Sequence, residues 1–261
     1  MLNWEKPELE MIRAEWPEGT SPKVKGIFTC RTGGVSSGPW GGPEGIMGLN
    51  VGPHVGDADA CVRMNRTIVG QLVPSAPKWL SQVHGAAVVH ADEVEGAPEA
   101  DASWTMTSGV VCAVMTADCL PVFLADRSGR AVAAVHAGWR SLAAGVLEKS
   151  VETLKNALGE EADLVAWFGP RIGPDEFETG EDVLAAMLER LPEARDAFKP
   201  AGDGHYKADL AMLARQALAK AGVTDVTDCG LSTAADPARF WSYRRDGARS
   251  GRHAALVWIE A

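Results

Sequence analysis

The sequence predicts an α/β fold, in the mixed α+β sense, organised as a single domain over residues 1–261. Short apolar runs rich in β-branched residues alternate with longer segments of helical periodicity, which is typical of proteins that combine sheets and helices. No internal repeat, low-complexity tract or linker divides the chain. With 46% hydrophobic and 23% charged residues, a chain of this length can bury a substantial core.

The first part of the chain predicts a strand, a long loop and a helix. Residues 24–30 alternate between apolar and polar side chains, the pattern of a half-buried strand. A glycine-rich loop then extends from Arg31 to about Gly56, and a loop of that length in a compact domain is usually functional. Asp57 is in position to cap a helix that covers residues 58–72.

Apolar runs in the middle of the chain predict strands and a hairpin. The strands are expected at residues 78–83, 110–116, 121–125 and 131–135. The turn at residues 126–130 joins the last two strands, which places Cys119 and His136 at the same end of a hairpin. Residues 91–103 are acidic and rich in small side chains, so this segment is expected to be a surface excursion.

The remaining residues predict helices and strands in alternation. A helix at residues 141–158 carries leucine and valine on one face. Thr179 and Asp182 form a capping box for a helix that extends to about Arg190, and a further helix covers residues 209–220. Strands are expected at residues 164–168, 223–228 and 254–259.

Two histidines and a cysteine predict a metal site. His84, Cys119 and His136 each follow an apolar run, and if these runs are neighbouring strands, their ends bring two imidazoles and a thiolate together. This donor set suits zinc, with a fourth position for a water whose pKa the metal lowers to about 7. Copper is the alternative, and it would want an axial methionine such as Met115. The pattern is that of a catalytic metal site.

Cys119 is also a candidate nucleophile, with His136 as its base. A zinc-bound thiolate is a poor nucleophile, so the cysteine-hydrolase and zinc hypotheses largely exclude each other, and the presence of His84 favours the metal. A non-catalytic, metal-stabilised binding module is a third hypothesis. It requires four protein ligands, with His54 as the candidate for the fourth.

Arginines form a second candidate cluster. Arg140 precedes the helix predicted at residues 141–158, where free N–H groups and the helix dipole attract anions, and a guanidinium can bind phosphate through two hydrogen bonds. Arg31 lies where the first strand meets the glycine-rich loop, and Arg244 and Arg245 follow an aromatic segment. The loop matches neither the P-loop nor the GxGxxG pattern, so a P-loop nucleotide site is not predicted.

Charge and cysteine content limit the partners and the location. A net charge of −10 argues against a broad nucleic-acid interface. Residues 1–6 show no signal-peptide pattern and no 18-residue apolar run is present, so we expect a cytoplasmic protein with no membrane partner. The five cysteines are widely spaced without a C-x-x-C pair, which indicates neither a disulfide framework nor a zinc ribbon. The sequence does not define the oligomeric state.

The chain resembles the YfiH-like laccase-domain family, which older descriptions label polyphenol oxidase and more recent ones purine nucleoside phosphorylase. The matching segments are TCRTGGVS at residues 29–36, LNVG at 49–52, VGD at 55–57, NR at 65–66, QVHG at 82–85, TADCLPV at 116–122, HAGWR at 136–140 and SYRRDG at 242–247. The resemblance implies zinc bound by His84, Cys119 and His136. It also implies a four-layer α-β-β-α sandwich, in which two packed sheets are covered by helices.

The same resemblance implies an enzyme that acts on purine nucleosides, as a transferase and a hydrolase. Family members are associated with phosphorolysis of adenosine, inosine, guanosine and methylthioadenosine, and with adenosine deamination. Carried over, Arg140 and Arg31 would gather phosphate and nucleoside, and a metal-activated water would serve deamination. Asn50, Gln82 and Asp118 match motif positions near the site and would orient substrate or ligands.

Two alternative activities remain open. One is a hydrolase that acts on a cell-wall peptide precursor, with Cys119 as nucleophile. The other is a copper-dependent polyphenol oxidase of the laccase type. A multicopper oxidase is expected to hold its copper ions with many histidines, mostly in His-x-His pairs, whereas this chain has six histidines and no such pair. This inventory argues against four-electron oxygen chemistry within one chain.

Overall fold

Two β-sheets packed face to face form the centre of the protein. The computed structural model describes residues 9–159 and 161–261, and the expectation drawn from residues 1–6 lies outside these ranges. The strands are β1 (Met11–Arg13), β2 (Val24–Thr29), β3 (Thr32–Ser36), β4 (Val88–His90), β5 (Ala102–Thr105), β6 (Cys112–Thr116), β7 (Leu120–Asp126), β8 (Val132–Ala137), β9 (Leu164–Phe168), β10 (Glu178–Gly180), β11 (Phe198–Gly202), β12 (His205–Ala208), β13 (Val226–Asp228) and β14 (His253–Ile259). The helices are α1 (Asp59–Gly70), α2 (Trp139–Ala143), α3 (Val146–Leu158), α4 (Glu181–Arg190), α5 (Leu210–Lys220) and α6 (Tyr243–Asp246).

The larger sheet has six strands in the order β13-β9-β7-β8-β5-β4, and the sheet packed against it has four in the order β1-β2-β14-β6. The pairs β13–β9 and β4–β5 are parallel. The other neighbours within these two sheets are antiparallel. A small sheet of order β10-β12-β11 completes the architecture. Because β14 pairs with both β2 and β6, the two ends of the described chain share one sheet.

Helices cover the outer faces of both large sheets. Helices α3 and α5 lie over the six-stranded sheet, with Leu147 and Leu213 in the core between them. Helix α1 lies over the four-stranded sheet, where Val69 is buried. Phe28 and Trp167 lie in the core between the two sheets, and each such buried side chain contributes about 1.5–3 kcal/mol. The predicted four-layer α-β-β-α sandwich is confirmed.

The central hairpin positions the candidate site. All residues of β7 and β8 are buried, because one face of these strands meets the other sheet and the opposite face meets helices. The strands pair from Leu120 opposite Ala137 to Ala125 opposite Val132. This hairpin is the one predicted from the sequence. The other predicted strands that form are β2, β6, β9, β13 and β14.

The strand predicted at residues 78–83 is wrong. This segment makes only isolated bridges, from Lys78 to Cys112 and from Ser81 to Glu99. The amide of Gln82 donates to the carbonyl of Met115 at 2.8 Å and accepts from its N–H at 2.7 Å. A side chain therefore takes the position that a neighbouring backbone would occupy in a sheet.

The surface excursion predicted at residues 91–103 is right for its middle, where most of residues 92–99 are exposed, but wrong for its two ends. Ala91 and residues 100–103 are fully buried, and β5 lies between β8 and β4 inside the six-stranded sheet. The small side chains that resemble a loop composition are small because they pack inside the fold. Asp101 is one of these buried residues.

Three helix predictions need correction. The helix predicted at residues 141–158 is two helices, separated at Gly145, whose φ is +83°. Thr179 lies in β10 and donates to the carbonyl of Tyr206 at 3.3 Å instead of forming a capping box. Asp57 accepts from Ser36 and Asn50 rather than capping α1.

The glycine-rich loop is more ordered than the sequence predicts. It contains β3 and a 3₁₀ turn at Gly38–Trp40. Buried Asn65 on α1 organises it by accepting from the N–H of Val35 and donating to Ser36 and to the carbonyl of Asn50. Among the described helices, none has both the length and the apolar character needed to cross a membrane.

Candidate metal centre and active site

A cavity of about 430 Å³ opens where the chain crosses from the four-stranded to the six-stranded sheet. It brings together most of the site residues predicted from the sequence, namely His84, Cys119, His136, Arg140, Gln82 and Asp118. Further lining residues are His54, Met115, Thr116, Ala117, Trp139, Ile172, Phe177, Leu210, Tyr243, Arg244 and Arg252. Arg31 and Asn50 do not line it.

The crossing between the sheets positions Cys119. Strand β6 ends at Thr116 in one sheet and β7 begins at Leu120 in the other. Cys119 directly precedes the hairpin, in which Pro121 pairs with His136. The premise of three neighbouring strands in one sheet is therefore wrong, since β6 lies in the opposite sheet and no strand precedes His84. The two sheets converge instead.

Asp118 holds the corner beside Cys119. Its φ is +85°, a conformation that aspartate tolerates better than most residues but that still carries strain. One carboxylate oxygen accepts from the hydroxyl of Thr233 at 2.6 Å, and the other accepts from Ser242 at 2.9 Å and from the N–H of Arg244 at 2.7 Å. These bonds fix both the corner and the start of α6.

Asp101 is the main residue of the site that the sequence analysis missed. Its fully buried carboxylate accepts the N–H groups of Val83, His84 and Gly85 at 3.2, 3.0 and 2.7 Å. His84 has a φ of +59°, and these bonds hold the loop in that conformation. The only hint in the sequence is an aspartate placed between small apolar residues.

The same carboxylate orients His136. Oδ1 of Asp101 lies 2.8 Å from Nδ1 of His136, whose side chain is almost completely buried. A proton held on Nδ1 by a carboxylate leaves Nε2 as the free ligand atom, and carboxylates in this position commonly orient metal-binding histidines.

The donor atoms of His84, Cys119 and His136 lie within 4.8 Å of one another. Bonds of about 2.0–2.3 Å in a tetrahedral site separate ligand atoms by roughly 3.3–3.8 Å, so a small inward movement suffices. A Cβ on Gly138 would lie 2.8 Å from Sγ of Cys119 and 3.2 Å from Nδ1 of His84. The absence of a side chain there leaves space beside the donors. The residues fit a metal ion.

The metal group has three protein members. Among residues 9–159 and 161–261, no fourth histidine, cysteine or carboxylate belongs to it. His54, the candidate fourth ligand, lines the cavity but lies outside the donor group. Three protein donors with an open position are typical of catalytic sites, whereas structural zinc sites are closed by four.

The two histidines have opposite pKa shifts. Burial, followed by the charge of His136, lowers the pKa of His84 to about 4. Burial alone would also lower the pKa of His136, but the neighbouring Cys119 and Asp101 outweigh it and raise the value to about 9. His84 is thus a neutral imidazole at neutral pH, the form that binds metals.

Arg31 and Asn50 lie behind the cavity wall. The guanidinium of Arg31 donates to the carbonyls of Gly41 and Pro237 at 2.9 and 3.1 Å. Asn50 is fully buried and accepts the N–H of Arg252 at 2.9 Å. Asn50 therefore contacts the backbone of a cavity residue.

One wall of the cavity is apolar and aromatic. Ile172, Phe177, Leu210 and Tyr243 line it. Arg244 extends this wall, because its guanidinium lies over Phe177 and donates to the carbonyls of Glu176 and Glu178. Arg245 does not line the cavity and pairs with Asp246.

Comparisons with known proteins agree with this architecture. The chain is similar to a purine nucleoside phosphorylase of Pseudomonas aeruginosa, with 47% identity over 250 residues that cover 95% of this chain and 98% of that protein. It is 42% identical to the purine nucleoside phosphorylase YfiH of Escherichia coli, over 96% of this chain and 99% of that protein.

A solved structure shows the same fold. The crystal structure of the Neisseria meningitidis protein NMB0706, of the family called DUF152, superimposes with a TM-score of 0.88 at 44% identity, covering 96% of this chain and 99% of that one. The family model described as multi-copper polyphenol oxidoreductase laccase matches residues 25–260. The chain therefore belongs to this family of laccase-type domains, which includes YfiH.

Proposed function

We propose that this protein is a zinc-dependent purine nucleoside phosphorylase that acts on adenosine, inosine, guanosine and methylthioadenosine, and that also deaminates adenosine. The observation that carries the proposal is the placement of His84, Cys119 and His136 in one cavity with several arginines. The names of the P. aeruginosa and E. coli relatives support the same activity. The proposal includes a cytoplasmic location and no nucleic-acid or membrane partner.

Zinc would be held by His84, Cys119 and His136. One thiolate and two imidazoles suit zinc, and a three-ligand set leaves one position open. Because the pKa of His136 is raised, its ring would release a proton when zinc binds. When bound, zinc supplies a Lewis acid that can polarise a substrate oxygen or lower the pKa of a water. Asp101 holds the ring of His136 and the backbone of His84, so it is a positioning residue.

The lining of the cavity suits the two substrates. A volume of about 430 Å³ lies within the range of small-molecule sites. The apolar wall of Ile172, Phe177 and Leu210 would contact the purine, and Arg140 would bind phosphate. In phosphorolysis a phosphate oxygen forms a bond to C1′ of the ribose while the bond from C1′ to the purine nitrogen breaks, and a proton goes to the leaving base.

The remaining predicted substrate residues receive supporting roles in this proposal. Gln82 holds the loop that carries His84 by bonding to the backbone of Met115. Asp118 holds the turn before Cys119 through its bond from Thr233. Asn50 positions Arg252 through its backbone. The carbonyl contacts of Arg31 favour a role in shaping the loop behind the cavity rather than direct substrate contact.

A second candidate function rests on the geometry of Cys119, His136 and Asp101. A thiol beside an imidazole that is in turn held by a carboxylate is the arrangement of a cysteine nucleophile with its base. Such an enzyme would hydrolyse a cell-wall peptide precursor. Thiol alkylation with and without a chelator separates the two proposals. If zinc protects Cys119 and the chelator exposes it, the metal-ligand role stands. If Cys119 reacts equally fast in both, the nucleophile role stands.

The laccase activity in the family description has little support from the ligand inventory. In the described part of the chain, the metal-donor group contains only His84, Cys119 and His136. His253 is buried between the carbonyl of Thr29 and the N–H of Trp241, and His205 lies on β12. The four-copper arrangement expected for a multicopper oxidase needs many more histidines.

The experiment that tests the main proposal is a phosphate-dependent assay. Zinc-loaded protein of known metal content should release the free base from adenosine and inosine only when phosphate is present. A Cys119→Ala variant should lose this activity. Identical rates for the variant and the natural protein would reject the proposal.

A further inference from the structure

Three arginines line the cavity of the candidate active site: Arg140, Arg244 and Arg252. Within the described residues, none of them lies within 4.0 Å of an Asp or Glu carboxylate. Seven other arginines do, namely Arg127, Arg130, Arg171, Arg190, Arg215, Arg239 and Arg245. The chain carries a net charge of −10, so carboxylates are not scarce. Cations left without carboxylates in a cavity favour an anionic ligand.

The three arginines differ in how their guanidinium groups are bound. Arg244 uses both terminal nitrogens on the carbonyls of Glu176 and Glu178. Arg140 is exposed and lies over the ring of the preceding Trp139 at 4.3 Å. Arg252 is half-buried, and only one of its three guanidinium nitrogens donates to the described part of the protein.

Arg252 is held rigidly with part of its donor fork open. Its Nη1 donates to the carbonyls of Ser250 and Gly251 at 2.7 and 3.1 Å, and its backbone N–H donates to Asn50. Its stem packs closely on Gly52, where a Cβ would lie 2.6 Å from Cγ of Arg252. In the described residues, the N–H groups on Nε and Nη2 have no acceptor. These two nitrogens form the edge that binds an oxyanion through two parallel hydrogen bonds.

The cavity places this fork near the metal donors. Arg252 lines it together with His84, Cys119 and His136, and its guanidinium lies over the ring of Tyr243 at 5.8 Å. The carboxylate of Asp118, which lines the same cavity, is already occupied by Thr233, Ser242 and the N–H of Arg244. In the described structure it makes no hydrogen bond to Arg252.

We propose that Nε and Nη2 of Arg252 form an oxyanion subsite that binds inorganic phosphate, with the exposed Arg140 as a second cation of the same cavity. This inference rests on the proposed function, in which phosphate is the second substrate. It assigns phosphate binding to Arg252 in place of Arg31, which does not line the cavity.

The test is calorimetric titration of the zinc-loaded protein with inorganic phosphate. Arg252→Gln removes the charge and the fork and should weaken phosphate binding at least tenfold. Arg252→Lys keeps the charge but loses the fork and should weaken it severalfold, which keeps the test open if the Gln variant does not fold. Arg195→Gln is the control and should stay within about twofold. Arg195 is also free of carboxylates in the described structure, but it lies outside the cavity, over the ring of Tyr206.

The outcomes separate this inference from the proposed function. If Arg252→Gln, or Arg252→Lys where Gln does not fold, binds phosphate as the natural protein does, the subsite is wrong even if inosine is phosphorolysed. If binding depends on Arg252 but no base is released from inosine, the subsite stands and the proposed function fails. A parallel titration with inosine 5′-monophosphate tests the other source of a phosphate group. Tighter, Arg252-dependent binding of the nucleotide would overturn the assignment to inorganic phosphate.

Discussion

Asp101 and His136 are joined by a hydrogen bond of 2.8 Å between two almost completely buried side chains. The same carboxylate accepts the N–H groups of Val83, His84 and Gly85. One residue therefore fixes two of the three candidate metal ligands, although they come from separate parts of the chain. The candidate metal centre therefore depends on Asp101 as well as on the donors.

Replacing Asp101 should weaken metal binding without removing a ligand. Asp101→Asn keeps the size of the side chain but removes the charge that holds the proton on Nδ1 of His136, and such changes typically cost about 10–100-fold in metal affinity. Competition with a chromophoric chelator measures the zinc affinity.

Asp92→Asn is the control for Asp101→Asn. Asp92 accepts from the hydroxyls of Thr105 and Thr107 and lies outside the donor group, so its variant should bind zinc normally. Equal zinc affinity for Asp101→Asn and the natural protein would show that Asp101 does not position the ligands.

A side chain at Gly138 should exclude the metal. The backbone of Gly138 has a φ of −66°, which any residue adopts, so Gly138→Ala adds only a methyl group beside Cys119 and His84. We expect at least tenfold weaker zinc binding in a protein that still folds. Metal content after dialysis, with circular dichroism, measures both properties.

Gly70→Ala is the matched control for Gly138→Ala. Gly70 is the last residue of α1, and a Cβ there meets nothing within 4 Å. Alanine is a better helix former than glycine, so this variant should retain zinc and be slightly more stable. Full zinc occupancy in Gly138→Ala would contradict the arrangement of donors described above.

The break between α2 and α3 should be intolerant of side chains. Gly145 has a φ of +83°, and its Cβ would overlap the guanidinium of Arg190, which pairs with Glu148. Gly145→Ala should lower the free energy of unfolding by about 1–3 kcal/mol. Gly109 has the same φ of +83° but open space around its Cβ, so Gly109→Ala is the control. Urea unfolding should show a larger loss of unfolding free energy for Gly145→Ala than for the control. Equal losses would show that the overlap with Arg190 does not destabilise the protein.

The buried Asp126 at the end of β7 should make stability depend on acid pH. Burial alone would raise its pKa, but hydrogen bonds from Arg130 and Ser128 outweigh this and hold it at about 2, below the ordinary value of 3.8. A carboxyl whose pKa is lowered in the folded state stabilises the protein above its unfolded pKa and loses that effect as pH falls towards the folded value. The expected contribution is at most about 2.5 kcal/mol.

Urea unfolding of the natural protein and Asp126→Asn between pH 6 and pH 2.5 measures this contribution. The stability difference should be constant above about pH 5 and should shrink below pH 4. A difference that does not change with pH would mean that Asp126 is not ionised in the folded state in the way described.

The hairpin was predictable from the sequence because its signals are local. Two apolar runs flank a turn that contains Gly129, and the pairing of β7 with β8 then places Cys119 near His136. The helix break at Gly145 was not predictable, because the apolar periodicity continues through it. What interrupts the helix is the left-handed backbone of Gly145, whose φ is +83°.

The candidate metal ligands were identifiable from residue type and motif, but the hydrogen bonds that position them were not. His84 does not follow a strand. It is held by Asp101 and by the pairing of Gln82 with Met115, contacts between residues 17 to 33 positions apart. Only its small apolar neighbours distinguish Asp101 from the other acidic residues of its segment, and nothing local distinguishes Arg252 from other arginines. Both depend on how the two sheets converge.

The most direct test of the central claim is the product formed from inosine by the zinc-loaded protein in phosphate buffer. We predict hypoxanthine and ribose 1-phosphate in equal amounts, with no turnover when phosphate is omitted and none in Cys119→Ala. Phosphorus NMR detects the sugar phosphate directly. Free ribose as the product, or no product from a fully zinc-loaded protein, would contradict the account.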